Sequence, residues 1–365
     1  MRLGWVRGSD KLDFGRPDVW FVLGQRGSGK SSFLESVAEE FLREGNHVVD
    51  LFGSKDAEAL AWLRSPWVKD RKVLLVKGES VDVKSSYETR NAEALSVSDF
   101  ERYDLIITAS PFYLSVDQEF TDAAIIEDRL YKRLHWKKLV YLCCREASNF
   151  YYSRLKVSEN QLFAKAEMIY LLRESRHMGI ALGLDSVRSF SIDIDVRSLA
   201  DYLILKAQGV QGLSKDLKWL YNYIDPTLLR KLSPERFMIV TKKGAIGYGK
   251  FPEIAWHKQE REDILNAVDI TVHYGEVLEQ PINRGAYKTV GDKEHSEILR
   301  LYAVGDLNML QVAEQLKRSP RTINLHINAH NLAVKKTGFC AVCKRAQSDL
   351  AYREIGHGLP LTIPQ

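Results

Sequence analysis

The chain has 365 residues and a formal net charge of +4, and 45% of its residues are hydrophobic. This length exceeds a single ordinary core and predicts two domains, and the small net charge means that a case for nucleic-acid binding must rest on where the charge lies. No apolar run reaches membrane-spanning length and the first residues lack the apolar core of a signal peptide, so we expect a cytoplasmic protein with no membrane partner.

The first predicted elements are a polar lead-in over residues 1–18 and a buried strand over Val19–Leu23. A glycine-rich loop follows, and from Gly24 to Ser31 it has the spacing of the phosphate-binding loop (P-loop). An amphipathic helix then runs to about Arg43. Nine loop residues are predicted to bind a nucleotide: Gly24, Gln25, Arg26, Gly27, Ser28, Gly29, Lys30, Ser31 and Ser32.

The composition of this loop suits a triphosphate. Glycines let backbone N–H groups approach phosphate oxygens, and the helix that follows directs the positive end of its dipole at the same anion. We expect Lys30 to reach the β- and γ-phosphates and the Ser31 hydroxyl to bind Mg²⁺. The alternative, a glycine-rich turn in an unrelated α/β fold, leaves Lys30 without a role. ATP and Mg²⁺ are therefore the predicted cofactors.

Short apolar strands alternate with helical segments after the loop. Strands are predicted at 47–52, 72–76, 103–108, 138–147, 179–184 and 201–205, and helical segments at 56–63, 122–133 and 160–176. This alternation predicts an α/β fold with a mostly parallel sheet flanked by helices. Because ligands bind at the carboxyl ends of such strands, the P-loop, Glu146 and Asp185 are expected to gather there.

The predicted domain boundaries follow from a change in pattern. A hairpin over residues 238–251 closes the first domain, so the P-loop domain is predicted to span residues 1–257. Residues 258–291 hold several glycines and a proline and are predicted to be a linker with some helix. Residues 292–365 form the second predicted domain.

The fifth strand ends in a carboxylate, Glu146, within Glu-Ala-Ser-Asn-Phe (146–150). A later segment, Glu174–Ile180, reads Glu-Ser-Arg-His-Met-Gly-Ile and leads into the next strand. With the P-loop, these motifs resemble the HerA/FtsK family of hexameric DNA-pumping ATPases, which includes viral genome-packaging ATPases. The resemblance covers about Val19–Leu205 and implies a P-loop NTPase fold of the RecA/ASCE type.

The resemblance implies two further catalytic roles besides that of Lys30. Glu146 would be the general base or water-orienting residue, and Arg176 would reach the γ-phosphate bound to a neighbouring subunit of a ring. The alternatives are a surface carboxylate for Glu146 and a solvated charge at a helix end for Arg176. Asp50, near the carboxyl end of its own strand, is a reserve candidate for the acid.

The chain departs from the family pattern at two positions. Arg145 stands where the family has its Mg²⁺-linked aspartate, and the family's sensor glutamine is missing, with Asp185-Ser186 nearby instead. Metal binding would then lack its usual carboxylate, which places turnover in question. Arg145 pairing directly with phosphate is a further alternative.

The last part of the chain carries a second signal. Amphipathic segments at 295–304 and 307–316 are followed by Ser319-Pro320, a helix start, and a polar helix over 321–330. This pattern is typical of a helix-turn-helix and resembles winged-helix DNA-binding domains. Between residues 317 and 348 there are seven basic residues and no acidic ones, as phosphate contact requires. The predicted DNA-binding residues are Lys317, Arg318, Arg321, Thr322, Asn324, His326, Lys335 and Lys336. The alternative is a packing or oligomerisation module with a solvated basic face.

The four cysteines do not form a disulfide framework pattern. Cys143 and Cys144 lie in a buried-type strand and are predicted to be core residues. Cys340 and Cys343 form half of a zinc knuckle, but no second pair follows, so free thiols are expected rather than a zinc site.

These patterns lead to two functional hypotheses. The first is an ATP-driven motor that forms a ring and translocates or packages double-stranded DNA. The second is a nucleotide-switched DNA adaptor or regulator with slow or absent hydrolysis, which Arg145 and the missing glutamine favour. A nucleotide kinase is a weaker third, because it gives the DNA-binding segment no role.

Overall fold

The computed structural model describes residues 2–53, 57–152, 158–209, 212–252, 263–274, 292–304, 307, 309–318, 322–323, 326–327, 352–355 and 359–362. The chain divides into two compact units, residues 1–276 and 277–365. Among the described residues, no helix is long and apolar enough to cross a membrane.

The first unit contains one large sheet. Its strands are β1 (Arg2–Arg7), β2 (Val19–Leu23), β3 (His47–Leu51), β4 (Val73–Lys77), β6 (Glu88–Asn91), β7 (Leu105–Thr108), β8 (Val140–Cys144), β9 (Ile180–Ser186), β10 (Tyr202–Leu205), β11 (Arg236–Thr241) and β12 (Ile246–Lys250). A separate two-stranded sheet pairs β5 (Val81–Lys84) with β13 (Thr271–Tyr274).

The eleven strands of the large sheet follow the order β1-β12-β11-β10-β2-β9-β8-β3-β7-β4-β6. The pairs from β10 to β6 are parallel, and β11, β12 and β1 add an antiparallel edge. Every residue of β2, β3, β8 and β9 is buried. Strands covered on both faces are expected in a parallel sheet, so the sequence-based prediction of fold class is confirmed.

The helices of the first unit are α1 (Lys30–Arg43), α2 (Asp99–Arg102), α3 (Val116–Tyr131), α4 (Glu159–Met178), α5 (Ile194–Ser198), α6 (Pro226–Arg230) and α7 (Ile264–Ala267). Helix α1 packs against β2, β3, β8 and β9, and α3 packs against α4. The buried side of α1 includes Phe33, Val37 and Phe41, which follow helical spacing. The helix ends at Arg43 as the sequence predicts, and Gly45 lies just beyond it with φ +78°.

Four strands of the first unit lie where the sequence predicts none. The supposed polar lead-in forms β1, which pairs antiparallel with β12 almost 240 residues later. The polar stretch after β4 contains β5 and β6, and β13 lies within the predicted linker. These strands are short, and their apolar and polar residues alternate only weakly. They are therefore identified only by the strands with which they pair.

The second unit has a small core of its own. The helices of this unit are α8 (Asp292–Leu299), which a π-helical turn, Arg300–Val304, follows directly, and α9 (Met309–Gln315). Its buried apolar side chains are those of Ile298, Leu301, Val312, Ala313, Ile323 and Ile327. A hairpin, β14 (Tyr352–Ile355) and β15 (Leu359–Thr362), also belongs to this unit.

Candidate functional site

The glycine-rich loop between β2 and α1 is packed tightly against its neighbours. A Cβ atom on Gly24 would lie 2.5 Å from Ser28 Oγ and 2.6 Å from Lys206 Cβ, so a larger residue has no room there. Gly29 has φ +82°, and its Cβ would lie 2.5 Å from the carbonyl oxygen of Pro234. Both positions therefore require glycine, the second also for its left-handed backbone.

Polar groups inside this loop have unused hydrogen-bonding capacity. Lys30 is only 5% exposed, and its Nζ donates one long hydrogen bond, 3.4 Å, to the Gln25 carbonyl oxygen. Ser28 Oγ is buried and has no hydrogen-bond partner within the described part of the chain. Helix α1 begins at Lys30, so its first N–H groups face the loop. A buried cluster of donors fits a phosphate group, and Ser31, the next residue after Lys30, has a hydroxyl that could bind Mg²⁺.

Strand β9 lies between β2 and β8 and brings a carboxylate to the loop. Asp185 on β9 is opposite Val22 on β2, and the Gly24 N–H donates to the Ser186 carbonyl oxygen at 3.2 Å. Glu146 is the second residue after β8, and its backbone N–H donates to the Asp185 carboxylate. The P-loop, Asp185 and Glu146 thus meet at the carboxyl ends of the strands, as the sequence analysis expects.

The environment of Asp185 disfavours its charge. Burial, and to a smaller extent the negative charge of Glu146, raise the pKa of Asp185 to about 7. The ammonium of Lys30 and the hydrogen bond from the Glu146 N–H act in the opposite direction. Glu146 itself is half-buried and has φ +49°, a left-handed conformation that is uncommon for a residue with a side chain.

This unit has a P-loop between strand β2 and helix α1, and a carboxylate, Glu146, just after β8, which is separated from β2 by β9 alone. These features define the fold of the unit. It is a P-loop NTPase fold. In this NTPase fold the described residues contain no group of three or more His, Cys, Asp or Glu side chains that could hold a metal ion by itself. A magnesium ion here would therefore depend on the nucleotide for part of its coordination.

Comparison with solved structures finds several proteins to which the chain is similar. They include the genome-packaging NTPase B204 of Sulfolobus turreted icosahedral virus 2 with ATPγS, at 17% identity over 65% of this chain and 98% of that chain, with TM-score 0.37. The pCW3 conjugation coupling protein TcpA is 15% identical over 73% of this chain and 70% of that chain, with TM-score 0.38. The bacterial conjugative coupling protein TrwB is 11% identical over 67% of this chain and 87% of that chain, with TM-score 0.47. No protein-family model and no curated protein matches the sequence.

Arg145, at the end of β8, is locked into a buried ion-pair cluster of the NTPase core. Its Nε donates to Asp50 at 3.0 Å, Nη2 donates to Asp50 at 2.6 Å, and Nη1 donates to Glu35 on α1. Burial opposes the charge of Arg145, but the two carboxylates outweigh it and hold the pKa of Arg145 above its ordinary value. The side chain is 1% exposed, so the alternative in which Arg145 binds phosphate is wrong. Asp50 is equally engaged and does not serve as the reserve acid.

Arg176 lies at the opposite edge of the sheet from the P-loop. It is in the last turn of α4, and its guanidinium donates to Asp201, which precedes β10. Asp201 also accepts from the Val19 N–H at 3.0 Å and lies 3.3 Å from Lys242 Nζ. The structure therefore separates Arg176 from the P-loop of its own chain, and a role for it in catalysis stays a prediction about a neighbouring subunit.

Lys206 is a component of the site that the sequence analysis misses. It follows β10, is fully buried, and donates from Nζ to the carbonyl oxygens of Pro234 and, at 2.7 Å, of Arg236. The Phe251 ring centroid is 4.6 Å from Nζ. Pro234 packs against Gly29, so the hydrogen bonds of Lys206 hold in place the segment that packs against the P-loop. Burial lowers the pKa of Lys206 to about 7.

We predict that Lys206→Met changes how stability depends on pH. In the unfolded chain this lysine keeps its proton to about pH 10.4, whereas in the folded chain it loses it near pH 7. Between these values the unfolded state binds more protons, so the wild type gains up to about 5 kcal/mol of stability as the pH rises. From pH 6 to 10, the melting temperature of the wild type should therefore rise relative to that of the variant. If the two melting temperatures change in parallel with pH, the lowered pKa of Lys206 is contradicted.

A cavity of about 690 Å³ adjoins the P-loop. It lies at the carboxyl ends of β2, β9 and β10, and Gln25 of the loop forms part of its wall. Arg188, Gln208, Lys215 and Lys218 also line it. The site therefore continues beyond the phosphate loop into a space with both basic and amide side chains.

The predicted DNA-binding residues of the second unit have different surroundings. Lys317 is exposed, Arg318 forms an ion pair with Glu294, and Thr322 is half-buried. His326 is fully buried and lies 3.0 Å, Nε2 to Nδ1, from His295. A side chain in the core does not reach DNA. The prediction that His326 contacts DNA is therefore wrong, and this residue packs in the core of the second unit. Arg321, Asn324, Lys335 and Lys336 lie outside the described residues, as do Cys340 and Cys343.

The remaining two cysteines behave as the sequence predicts. Cys143 and Cys144 are fully buried in β8 as free thiols. Burial raises the pKa of both thiols well above the ordinary value, so they stay protonated and pack as small apolar side chains.

Proposed function

We propose that this chain is an ATP-driven motor that translocates or packages double-stranded DNA. The observation that carries the proposal is the P-loop at the start of α1, whose buried donors face the carboxylates at the ends of β8 and β9. Lys30 and the loop N–H groups would bind the phosphates, and Ser31 would bind Mg²⁺, which neutralises phosphate charge. The adjoining cavity has room for the nucleoside.

Glu146 is proposed as the general base or water-orienting residue. It stands at the carboxyl end of β8, half-buried and beside Asp185, where a carboxylate can accept a proton from water near the bound phosphate. Its left-handed backbone turns the chain away from the strand at that point.

A homo-oligomeric ring is part of the same proposal. Arg176 is 55% exposed and lies far from its own P-loop, at the amino ends of the strands. An arginine in that position would act only by exchanging Asp201 for the nucleotide of an adjacent copy, which would make hydrolysis depend on assembly. The second unit would contact DNA through its exposed basic residues, such as Lys317.

The decisive experiment is an ATPase assay with and without duplex DNA, run on fractions from a sizing column with Mg²⁺ present. We expect hydrolysis to be confined to oligomeric fractions and to rise at least about tenfold with DNA. Hydrolysis by the monomer alone, unaffected by DNA, would argue against a motor.

One observation favours a second candidate, a nucleotide-switched DNA adaptor with little turnover. Arg145 occupies the end of β8 and is held away from the P-loop by Asp50 and Glu35, so β8 offers Glu146 as its terminal carboxylate. If purified protein binds ATP and DNA but hydrolyses no ATP in any fraction, the adaptor explains the result better.

A further inference from the structure

Asp185 is the buried carboxylate of the P-loop site that no proposed step uses. It is 1% exposed, and its Oδ1 accepts a hydrogen bond from the Glu146 N–H. Its Oδ2 is also buried, and no described residue hydrogen-bonds to it. A buried carboxylate oxygen without a partner is costly, so it indicates a group that binds there during function.

The direction of the Asp185 side chain follows from the strand pattern. A Cβ on Gly183 would lie 2.9 Å from Leu34 Cδ2 of α1, so position 183 faces α1. Alternate residues of a strand share a face, and Asp185 therefore faces α1 as well. Asp185 is opposite Val22 near the end of β2 that leads into the phosphate loop, and the Gly24 N–H donates to the carbonyl oxygen of the next residue, Ser186, so the carboxylate lies beside this loop.

The other acids near this point are not equivalent to Asp185. Asp50 and Glu35 are both paired with Arg145, which fills the space next to them. Glu146 is half-buried and is the proposed base. Only Asp185, among the described carboxylates on β3, β8 and β9, combines burial, an orphaned oxygen and proximity to Lys30.

We propose that Asp185 is the carboxylate that binds the magnesium ion of the nucleotide, directly or through one of its waters, in place of an acid on β8. The inference rests on the proposed nucleotide site and adds to it the residue that replaces the lost β8 aspartate. Mg²⁺ is commonly held by one or two carboxylates together with substrate phosphates, and Asp185 supplies the one that Arg145 removes.

The test is the gain in nucleotide affinity that Mg²⁺ provides. The dissociation constant of a non-hydrolysable ATP analogue is measured with saturating Mg²⁺ and with EDTA, for wild type, Asp185→Asn and a control, Asp122→Asn. Asp122 is also a buried aspartate with an orphaned Oδ2, but it lies on α3, where its carboxyl interacts with Tyr113. We expect Asp185→Asn to keep the EDTA affinity and to lose about tenfold or more of the affinity with Mg²⁺. The control should keep the full gain.

A second measurement separates metal binding from a structural role. Asparagine has the shape of aspartate and its amide oxygen still accepts the Glu146 N–H, while the buried charge is removed. The melting temperature of Asp185→Asn without nucleotide should therefore equal or exceed that of the wild type. A lower melting temperature with equal loss of affinity in both conditions would show a structural residue and overturn the inference.

The outcomes also distinguish this inference from the proposed function. If the wild type gains affinity from Mg²⁺ and Asp185→Asn gains as much, the role of Asp185 is overturned and the nucleotide site stands. If the wild type binds the analogue in neither condition, the nucleotide site itself is overturned, and the inference with it.

Discussion

Lys30→Ala is expected to weaken ATP binding by about 10- to 100-fold and to abolish DNA-stimulated hydrolysis. The Lys30 ammonium is the buried positive charge at the start of α1, and its one described hydrogen bond, to Gln25, is long. Removing it takes away a charge-assisted contact of about 1.5–3 kcal/mol to the phosphates. Binding is measured with a fluorescent ATP analogue and hydrolysis by phosphate release.

Glu146→Gln is the matched comparison for Lys30→Ala. It leaves the P-loop intact, so nucleotide affinity should change by less than about threefold, while turnover should fall by about 10²- to 10⁴-fold. Wild-type hydrolysis in both variants would refute the site, and equal loss of binding in both would refute the separate roles of the two residues.

Arg145→Leu is expected to lower the free energy of unfolding by about 3–5 kcal/mol. It leaves Asp50 and Glu35 buried without their cation, and removing one member of a buried ion pair is costly because the other charges stay desolvated. Burial already raises the pKa of Asp50, and loss of the guanidinium raises it further. Urea denaturation of wild type and variant measures the change.

Arg176→Leu is the control for Arg145→Leu. The side chain of Arg176 is 55% exposed, and in this variant Asp201 still has Lys242 and the Val19 N–H as partners. The free energy of unfolding should therefore fall by about 1 kcal/mol or less. Arg145→Asp should be worse than Arg145→Leu, because it restores the family's residue type but places three carboxylates in one buried cluster. Equal stability of Arg145→Leu and wild type would contradict this account of the cluster.

The parts of the site that the sequence predicts are those with local signals. The spacing from Gly24 to Ser31 depends on backbone geometry and helix direction within one short segment, and the apolar run of β2 marks the strand before it. Glu146 likewise lies just after a strand, and this local position is enough to predict that it is near the loop, because the loop lies at the same ends of the strands.

The parts that sequence does not predict depend on distant partners. In the sequence, Arg145 is only a departure from a motif. Its role as the cation of a buried ion-pair cluster depends on Glu35 and Asp50, which lie 110 and 95 residues earlier in the chain. Lys206 is one lysine after an apolar strand, and only the fold brings Pro234 to it. His326 has the residue type of a DNA contact, yet His295 covers it in the core.

The pairing of β1 with β12 has a consequence for how the protein is made. Residues 2–7 are translated about 240 residues before the strand with which they pair, Ile246–Lys250. At about 5–20 residues per second, this interval is on the order of ten seconds or more, during which residues 2–7 lack the strand with which they pair. Nascent chains that do not yet include residues 246–250 should therefore leave residues 2–7 open to proteases, and chains that include them should protect residues 2–7.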